Sequence, residues 1–178
     1  MKIGVIGGGQ LGRMLALAGT PLGQQFAFLD PAPDACAQAL GEHIRADYND
    51  TDHLRQLADE VDVVTFEFES VPAETVAFLS QFVPVYPNAE SLRIARDRWF
   101  EKSMFQDLGI PTPEFADIQS QDNLDAAVKR IGLPAVMKTR TLGYDGKGQK
   151  VLRHPDDVVD AFAELGSVPC ILEGFVPF

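Results

Sequence analysis

The chain is short of cysteine, histidine and positive charge, and each shortage closes off a class of function. Its two cysteines, Cys36 and Cys170, lie far apart, with no metal-ligand spacing around either. Two thiols in 178 residues build no disulfide framework and fit a reducing compartment, where they serve as small buried hydrophobes. The three histidines, His43, His53 and His154, form neither H-x-x-H nor H-E-x-x-H. G-x-S-x-G and G-x-x-x-x-G-K-[ST] are also missing, so zinc hydrolysis, histidine-based triads and a Walker-type phosphate site drop out together. Lysine and arginine number 15 against 26 acidic residues, a formal charge of −11. A surface that acidic repels polyanions, so no nucleic acid is expected as a partner, whereas small phosphorylated ligands need only a few local donors. No apolar run approaches a membrane span, and Met1-Lys2 leads straight into a strand pattern rather than a charged and then apolar leader. These features predict a cytoplasmic protein with no membrane partner and no metal site of its own.

The chain is otherwise ordinary in composition, 46% hydrophobic and 23% charged, as globular proteins are. Its first half alternates strand and helix patterns. Strands are expected at 2–6, 25–30, 43–45, 61–66 and 83–85, and helices at 11–18, 34–40, 51–60 and 72–82. That alternation predicts a parallel sheet covered by helices on both faces. A long helical stretch over 88–108 is expected to break near Asp97, followed by the stop Gly109-Ile110-Pro111-Thr112-Pro113. Beyond it the pattern is helix 123–131, strand 135–139, a glycine loop, strand 149–153, helix 155–165 and strand 169–173. Two hairpin strands and two helices are too small a core for a complete domain. The chain then stops on the apolar run Gly174-Phe175-Val176-Pro177-Phe178, so it reads as the N-terminal part of something longer.

Two glycine-rich loops carry the chemistry. Gly7-Gly8-Gly9-Gln10-Leu11-Gly12 matches G-x-G-x-x-G between a strand and a helix, where free N–H groups favour anionic or polar acceptors. Asp30 ends the second strand, where a dinucleotide fold places its ribose-binding acid. On these residues alone a nicotinamide or flavin oxidoreductase is one reading. In Phe66-Glu67-Phe68-Glu69, Glu67 stands nearer the sheet and suits a ligand amine or hydroxyl, while Glu69 reads as a solvated edge. Arg98 and Lys102, four apart, share a helix face; by chemistry alone a solvated charged face explains them better than a phosphate contact. Lys138 closes an apolar strand and either snorkels outward or meets an anion. The loop after it, Gly143-Tyr144-Asp145-Gly146-Lys147-Gly148-Gln149, reads as a hairpin turn and a phosphate cover.

Taken in order, Gly7 to Met14, Thr65 to Glu69, Asp97-Arg98 with Lys102, Met137-Lys138 and Gly143 to Gln149 resemble the 5-(carboxyamino)imidazole ribonucleotide synthetases. These are ATP-dependent enzymes of purine biosynthesis in the ATP-grasp superfamily. The resemblance covers essentially the whole chain, and the Gly-Tyr-Asp-Gly-Lys-Gly-Gln loop is its most specific part. It implies an α/β fold, with a Rossmann-like parallel-sheet pre-ATP-grasp domain at 1–96 binding substrate. The first, small α+β subdomain of an ATP-grasp domain would follow at 97–178. It implies a carbon–nitrogen ligase that uses ATP and bicarbonate to carboxylate 5-aminoimidazole ribonucleotide through carboxyphosphate. Arg98 and Lys138 would contact ATP phosphates, and Gly143, Tyr144, Asp145, Gly146, Lys147, Gly148 and Gln149 would close over them. Glu173, Gly174, Phe175 and Val176 would hold the adenine and ribose. Gln10, Leu11 and Glu67 would hold the ribonucleotide, with Tyr144 and Asp145, beside Lys138, at the reacting centre. Mg2+ would be bound by residues beyond Phe178, and the full-length protein would be a homodimer. Asp30 then loses its cofactor role. A non-catalytic nucleotide-binding module stands as a third reading.

Overall fold

The computed structural model of the chain describes residues 1–143 and 147–177. The chain divides into two units, Met1–Arg93 and Ile94–Phe178. In the first, strands and helices alternate: β1 (Lys2–Ile6), α1 (Gln10–Gly19), β2 (Gln25–Leu29), β3 (Glu42–Ile44), α2 (Thr51–Glu60), β4 (Val63–Phe66) and α3 (Ala73–Leu79). The four strands are parallel in the order β3-β2-β1-β4. Strand alternation divides the apolar residues between two faces. Ile6, Ala27, Leu29 and Val64 pack with Leu54 and Leu57 of α2 and with Val76 and Leu79 of α3. Val5, Phe26 and Phe28 pack on the opposite side with Ala16 of α1. Helix α2 starts where Asp50 accepts from the Asp52 and His53 N–H groups, satisfying two of the donors that a helix start leaves open. The chain leaves β1 toward β2 on one side, while β4 lies on the other. Connections that diverge this way open a crevice at the carboxyl ends of β1 and β4.

In the second unit α4 (Ala89–Ala95), which begins in the first, is followed by α5 (Arg98–Asp107), β5 (Phe115–Ile118), α6 (Gln121–Ile131), β6 (Ala135–Thr139), β7 (Gln149–Leu152), α7 (Ala161–Glu164) and β8 (Cys170–Gly174). The four strands form an antiparallel sheet in the order β5-β8-β6-β7. One face is apolar: Ala116, Ile118, Ala135, Met137, Cys170 and Leu172 pack against Leu124 and Ala127 of α6 and Ala161 of α7. The alternate residues Val136, Lys138, Ile171 and Glu173 belong to the other face.

The break expected near Asp97 occurs there, because the Asp97 carboxylate accepts from Trp99 N–H and so caps a new helix. Several expectations are corrected. The helix expected at 34–40 is a set of turns ending in a single 3-10 turn, Gln38–Leu40. Seven residues barely nucleate a helix, and here Ala37 N–H is drawn to Gly8 C=O instead. The strand expected at 83–85 reduces to one bridge, Val64 to Val85, since Pro84 has no N–H to extend a ladder. The helix at 155–165 splits into a 3-10 turn, Pro155–Asp157, and the short α7, parted at Asp160 with φ 63°. Strand β5 was not expected at all. Its sequence, Phe-Ala-Asp-Ile, is short and interrupted by an acid, and pairing with β8 makes it a strand. No helix among the described residues is long and apolar enough to cross a membrane.

Candidate functional site

In the first unit the crevice is organised by two carboxylates. Gly7 has φ +100°, and a side chain there would lie 2.7 Å from Glu67 Oε1, so the turn excludes other residues on two counts. Glu67 accepts from Gly9 N–H at 2.8 Å and from Gly12 N–H in the first turn of α1. A carboxylate therefore already occupies the positive end of α1, where an anionic ligand would otherwise sit. Gln10 and Leu11 are exposed beside it. Leu11, Met14, Leu15, Ala18, Phe66 and Glu67 line an open cleft of about 380 Å³.

Asp30, only 7% exposed, faces inward. It accepts from Gly8 N–H at 2.8 Å, Ala32 N–H at 2.8 Å and Tyr48 O–H at 3.1 Å. Burial pushes the Tyr48 phenol up, and the neighbouring charges of Asp30 and Glu67 add to it, so Tyr48 stays a donor. A ribose-binding acid must be reachable, whereas this one holds the loop together. Glu69 is exposed.

In the second unit the polar face of the sheet carries an ion cluster under α5. Val136 pairs with Glu173 across β6 and β8, which puts Lys138 diagonally next to Glu173. Lys138 Nζ lies 3.2 Å from Glu173 Oε2, and Lys102 Nζ from α5 lies 3.1 Å from the same oxygen. Trp99 of α5 meets Phe115 of β5 edge-on at 5.4 Å, holding the helix against this face. Arg98 donates to the Thr139 and Gly143 carbonyls, each at 2.9 Å, and so pins one side of the glycine loop. Across the loop Thr139 N–H donates to Gly148 C=O at 2.8 Å, with Gly148 at φ +68°. Arg140 locks the base of α5 to the sheet through Asp97 at 2.6 Å and Asp117 at 3.1 Å.

Arg98 and Lys102 thus share a face, as their spacing implies, but the solvated-face reading is wrong. That face meets the sheet, and both cations are used there. Lys147 and Gln149 are exposed, while Tyr144, Asp145 and Gly146 lie outside the described residues. Gly174 and Phe175 spend their N–H groups on Glu114 and Pro134 carbonyls, which leaves carbonyls and the exposed Val176 for a ligand edge. Sequence reasoning left Lys102 out of the site and did not pair it with the Glu173 side chain. The i, i+4 spacing from Arg98 was the available signal, and it lacked the sheet opposite to give it meaning.

Residues 1–96 match the family model of the ribonucleotide synthetase pre-ATP-grasp domain. The chain belongs to that family. Residues 103–178 match the ATP-grasp domain model. Both the resemblance drawn from the motifs and the expected fold, a Rossmann-like unit followed by the start of an ATP-grasp domain, are borne out. The chain is 88% identical over 178 residues to N5-carboxyaminoimidazole ribonucleotide synthase of Pseudomonas aeruginosa, covering all of this chain and 49% of that protein. Among solved structures, N5-carboxyaminoimidazole ribonucleotide synthetase from Thermus thermophilus matches 99% of the chain with 47% of its own length, at 47% identity and a TM-score of 0.90. The Aspergillus clavatus synthase, solved with ADP and 5-aminoimidazole ribonucleotide, matches 99% of the chain with 47% of its own, at 27% identity and a TM-score of 0.88. This pre-ATP-grasp family chain spans about half the length of the curated relatives it matches.

Proposed function

We propose that this chain supplies the substrate-binding domain, residues 1–96, and the first part of the ATP-grasp domain, residues 97–178, of an ATP-dependent carbon–nitrogen ligase. The reaction is carboxylation of 5-aminoimidazole ribonucleotide to its N5-carboxy form in purine biosynthesis, in the cytoplasm. A bicarbonate oxygen attacks the γ-phosphorus, the bond to the bridging oxygen breaks, and ADP leaves with carboxyphosphate formed. The exocyclic amine then attacks the carboxyl carbon, loses a proton and expels phosphate. Such an intermediate hydrolyses quickly, so the site must neutralise phosphate charge and exclude water.

The observation that carries this reading is the cationic cluster beside a pinned glycine loop. Lys138 emerges from β6 next to the loop, and Arg98 holds the loop by two carbonyls. In this reading Lys138 and Arg98 meet ATP phosphates, residues 143–149 close over them, and Glu173 to Val176 flank the adenine and ribose. Gln10, Leu11 and Glu67 hold the ribonucleotide, with Glu67 ready to accept from an amine or hydroxyl. Tyr144 and Asp145 belong beside the reacting amine. Magnesium would offset phosphate charge. Among the described residues no three His, Cys, Asp or Glu side chains gather to bind a metal, and its ligands are assigned to residues beyond 178, as is the homodimer contact. The dinucleotide alternative loses its acid, because Asp30 is committed to Gly8, Ala32 and Tyr48.

Phosphate release from ATP tests the proposal in a chain extended to its relatives' full length. Release should require both aminoimidazole ribonucleotide and bicarbonate, and Lys138→Ala should abolish it without unfolding the protein. Turnover indifferent to both co-substrates would overturn the assignment.

A further inference from the structure

The two carboxylates that organise the first unit's crevice reach the glycine loop from opposite sides. Asp30 follows β2 and Glu67 follows β4, and β1 lies between those strands, so no ladder joins them. Asp30 takes Gly8 N–H, while Glu67 takes Gly9 N–H and Gly12 N–H. The other N–H groups at the start of α1, those of Gln10 and Leu11, have no intrahelical partner, and both residues are exposed. Where those two donors point depends on both clamps at once. One side chain joins the clamps. Tyr48 lies between β3 and α2. Its O–H donates at 3.1 Å to Asp30 Oδ2, the oxygen that also takes Gly8 N–H. Its ring meets that of Phe68, the residue after Glu67, at 5.4 Å and 58°. Its C=O accepts from the hydroxyl of Thr75 in α3 at 2.6 Å, and Thr75 is only 2% exposed. Burial, and then the charge of Asp30, keeps the phenol protonated, so Tyr48 remains a donor.

We infer that Tyr48 is a positioning residue for the ribonucleotide: it ties Asp30 to the segment carrying Glu67 and so sets the loop at 7–12 against the ligand. The inference rests on the reading that Gln10, Leu11 and Glu67 hold that ligand. Tyr48 acts through Asp30 and Phe68 and not on a reacting atom. Without its hydroxyl, Asp30 Oδ2 keeps Gly8 alone, and the ends of β2 and β4 lose the bond that passes between them through Tyr48. Fewer molecules then hold the loop ready for the ligand. A competent fraction of about one tenth lowers apparent affinity about tenfold.

The experiment measures steady-state carboxylation in the chain extended to its relatives' full length, with 5-aminoimidazole ribonucleotide and ATP varied separately. Tyr48→Phe should raise the KM for the ribonucleotide about tenfold while kcat and the KM for ATP stay within about twofold. A role in stability alone lowers kcat with the folded fraction and leaves that KM untouched, and this pattern, or unchanged kinetics, overturns the inference. Direct contact of the hydroxyl with the ligand is separated by a double variant. Once Asp30→Ala has removed the acceptor, adding Tyr48→Phe should change the KM by no more than about twofold, because both act along one path. Effects that multiply as independent ones do refute that path. Should either variant fail to fold, Phe68→Leu decides. It leaves every hydroxyl in place and should raise the same KM, and a normal KM refutes the tie. Glu67→Gln must raise the KM for the ribonucleotide. If it does not, the reading of the site fails and carries the inference with it. If it does while Tyr48→Phe is normal, only the inference falls.

Discussion

Replacing Asp30 with asparagine should destabilise the first unit by about 3 kcal/mol, summed from hydrogen bonds to a charged acceptor at about 1.5–3 kcal/mol when lost and less when weakened. The side chain keeps its shape, so packing is not the variable. One carboxylate oxygen accepts from Gly8 N–H and Tyr48 O–H, and the other from Ala32 N–H. An amide has one oxygen. Turned to serve Gly8 and Tyr48, it points its NH2 at Ala32 N–H and loses that bond outright, and the two that survive lose their charge assistance. Turned the other way, it loses two. Tyr48, whose phenol is kept protonated by burial and by nearby negative charge, still needs an acceptor. The sole tryptophan, Trp99, is in the second unit, so unfolding of Met1–Arg93 is better followed by far-ultraviolet circular dichroism than by fluorescence. For a unit of this size, a loss of that order lowers the thermal midpoint by roughly 10 °C or more. A urea midpoint corresponding to a loss under about 0.5 kcal/mol, within the ordinary range of surface substitutions, would refute the structural role. Measurable dinucleotide binding that disappears in the variant would reinstate the cofactor role.

Two further outcomes follow from the second unit. Arg140→Met should cost about 3 kcal/mol, the usual penalty for stripping one partner from a largely buried ion pair, because Asp97 and Asp117 both lose it. Urea denaturation followed at Trp99 reads this, and a loss below about 1 kcal/mol, the value of an exposed pair, would argue against it. Burial, and secondarily the charge of Asp117, pushes the Cys170 thiol up to about 11, whereas Cys36, expected to be buried as well, is exposed. An aromatic disulfide reagent at pH 8 should therefore label one thiol per folded chain and the second only after denaturation; two equally fast thiols would contradict the burial.

Where a segment's order follows from its own residues, it was legible beforehand. Helix α2 runs over Thr51–Glu60 as expected, because its apolar spacing and its cap are both local. The break at Asp97 was legible for the same reason. Strand β5 and the split of the helix at 155–165 were not, since each depends on what lies alongside. Glu67 was recognised as a ligand-side acid, but its place at the positive end of α1 required strand β4 to lie beside β1. Lys102 was set aside as solvated, because its partner Glu173 lies 71 positions on, and only the packing of α5 over the sheet joins them.

The sequence by itself determined the family, the α/β class and the two glycine loops, because local spacing, turn residues and order along the chain are one-dimensional properties. Only the tertiary structure decided which charges are spent within the protein and which are left for a ligand. That depends on burial and on partners distant in sequence: Asp30, on one reading a ribose-binding acid, turns inward to the glycine loop, and Lys138 shares Glu173 with a lysine from another element.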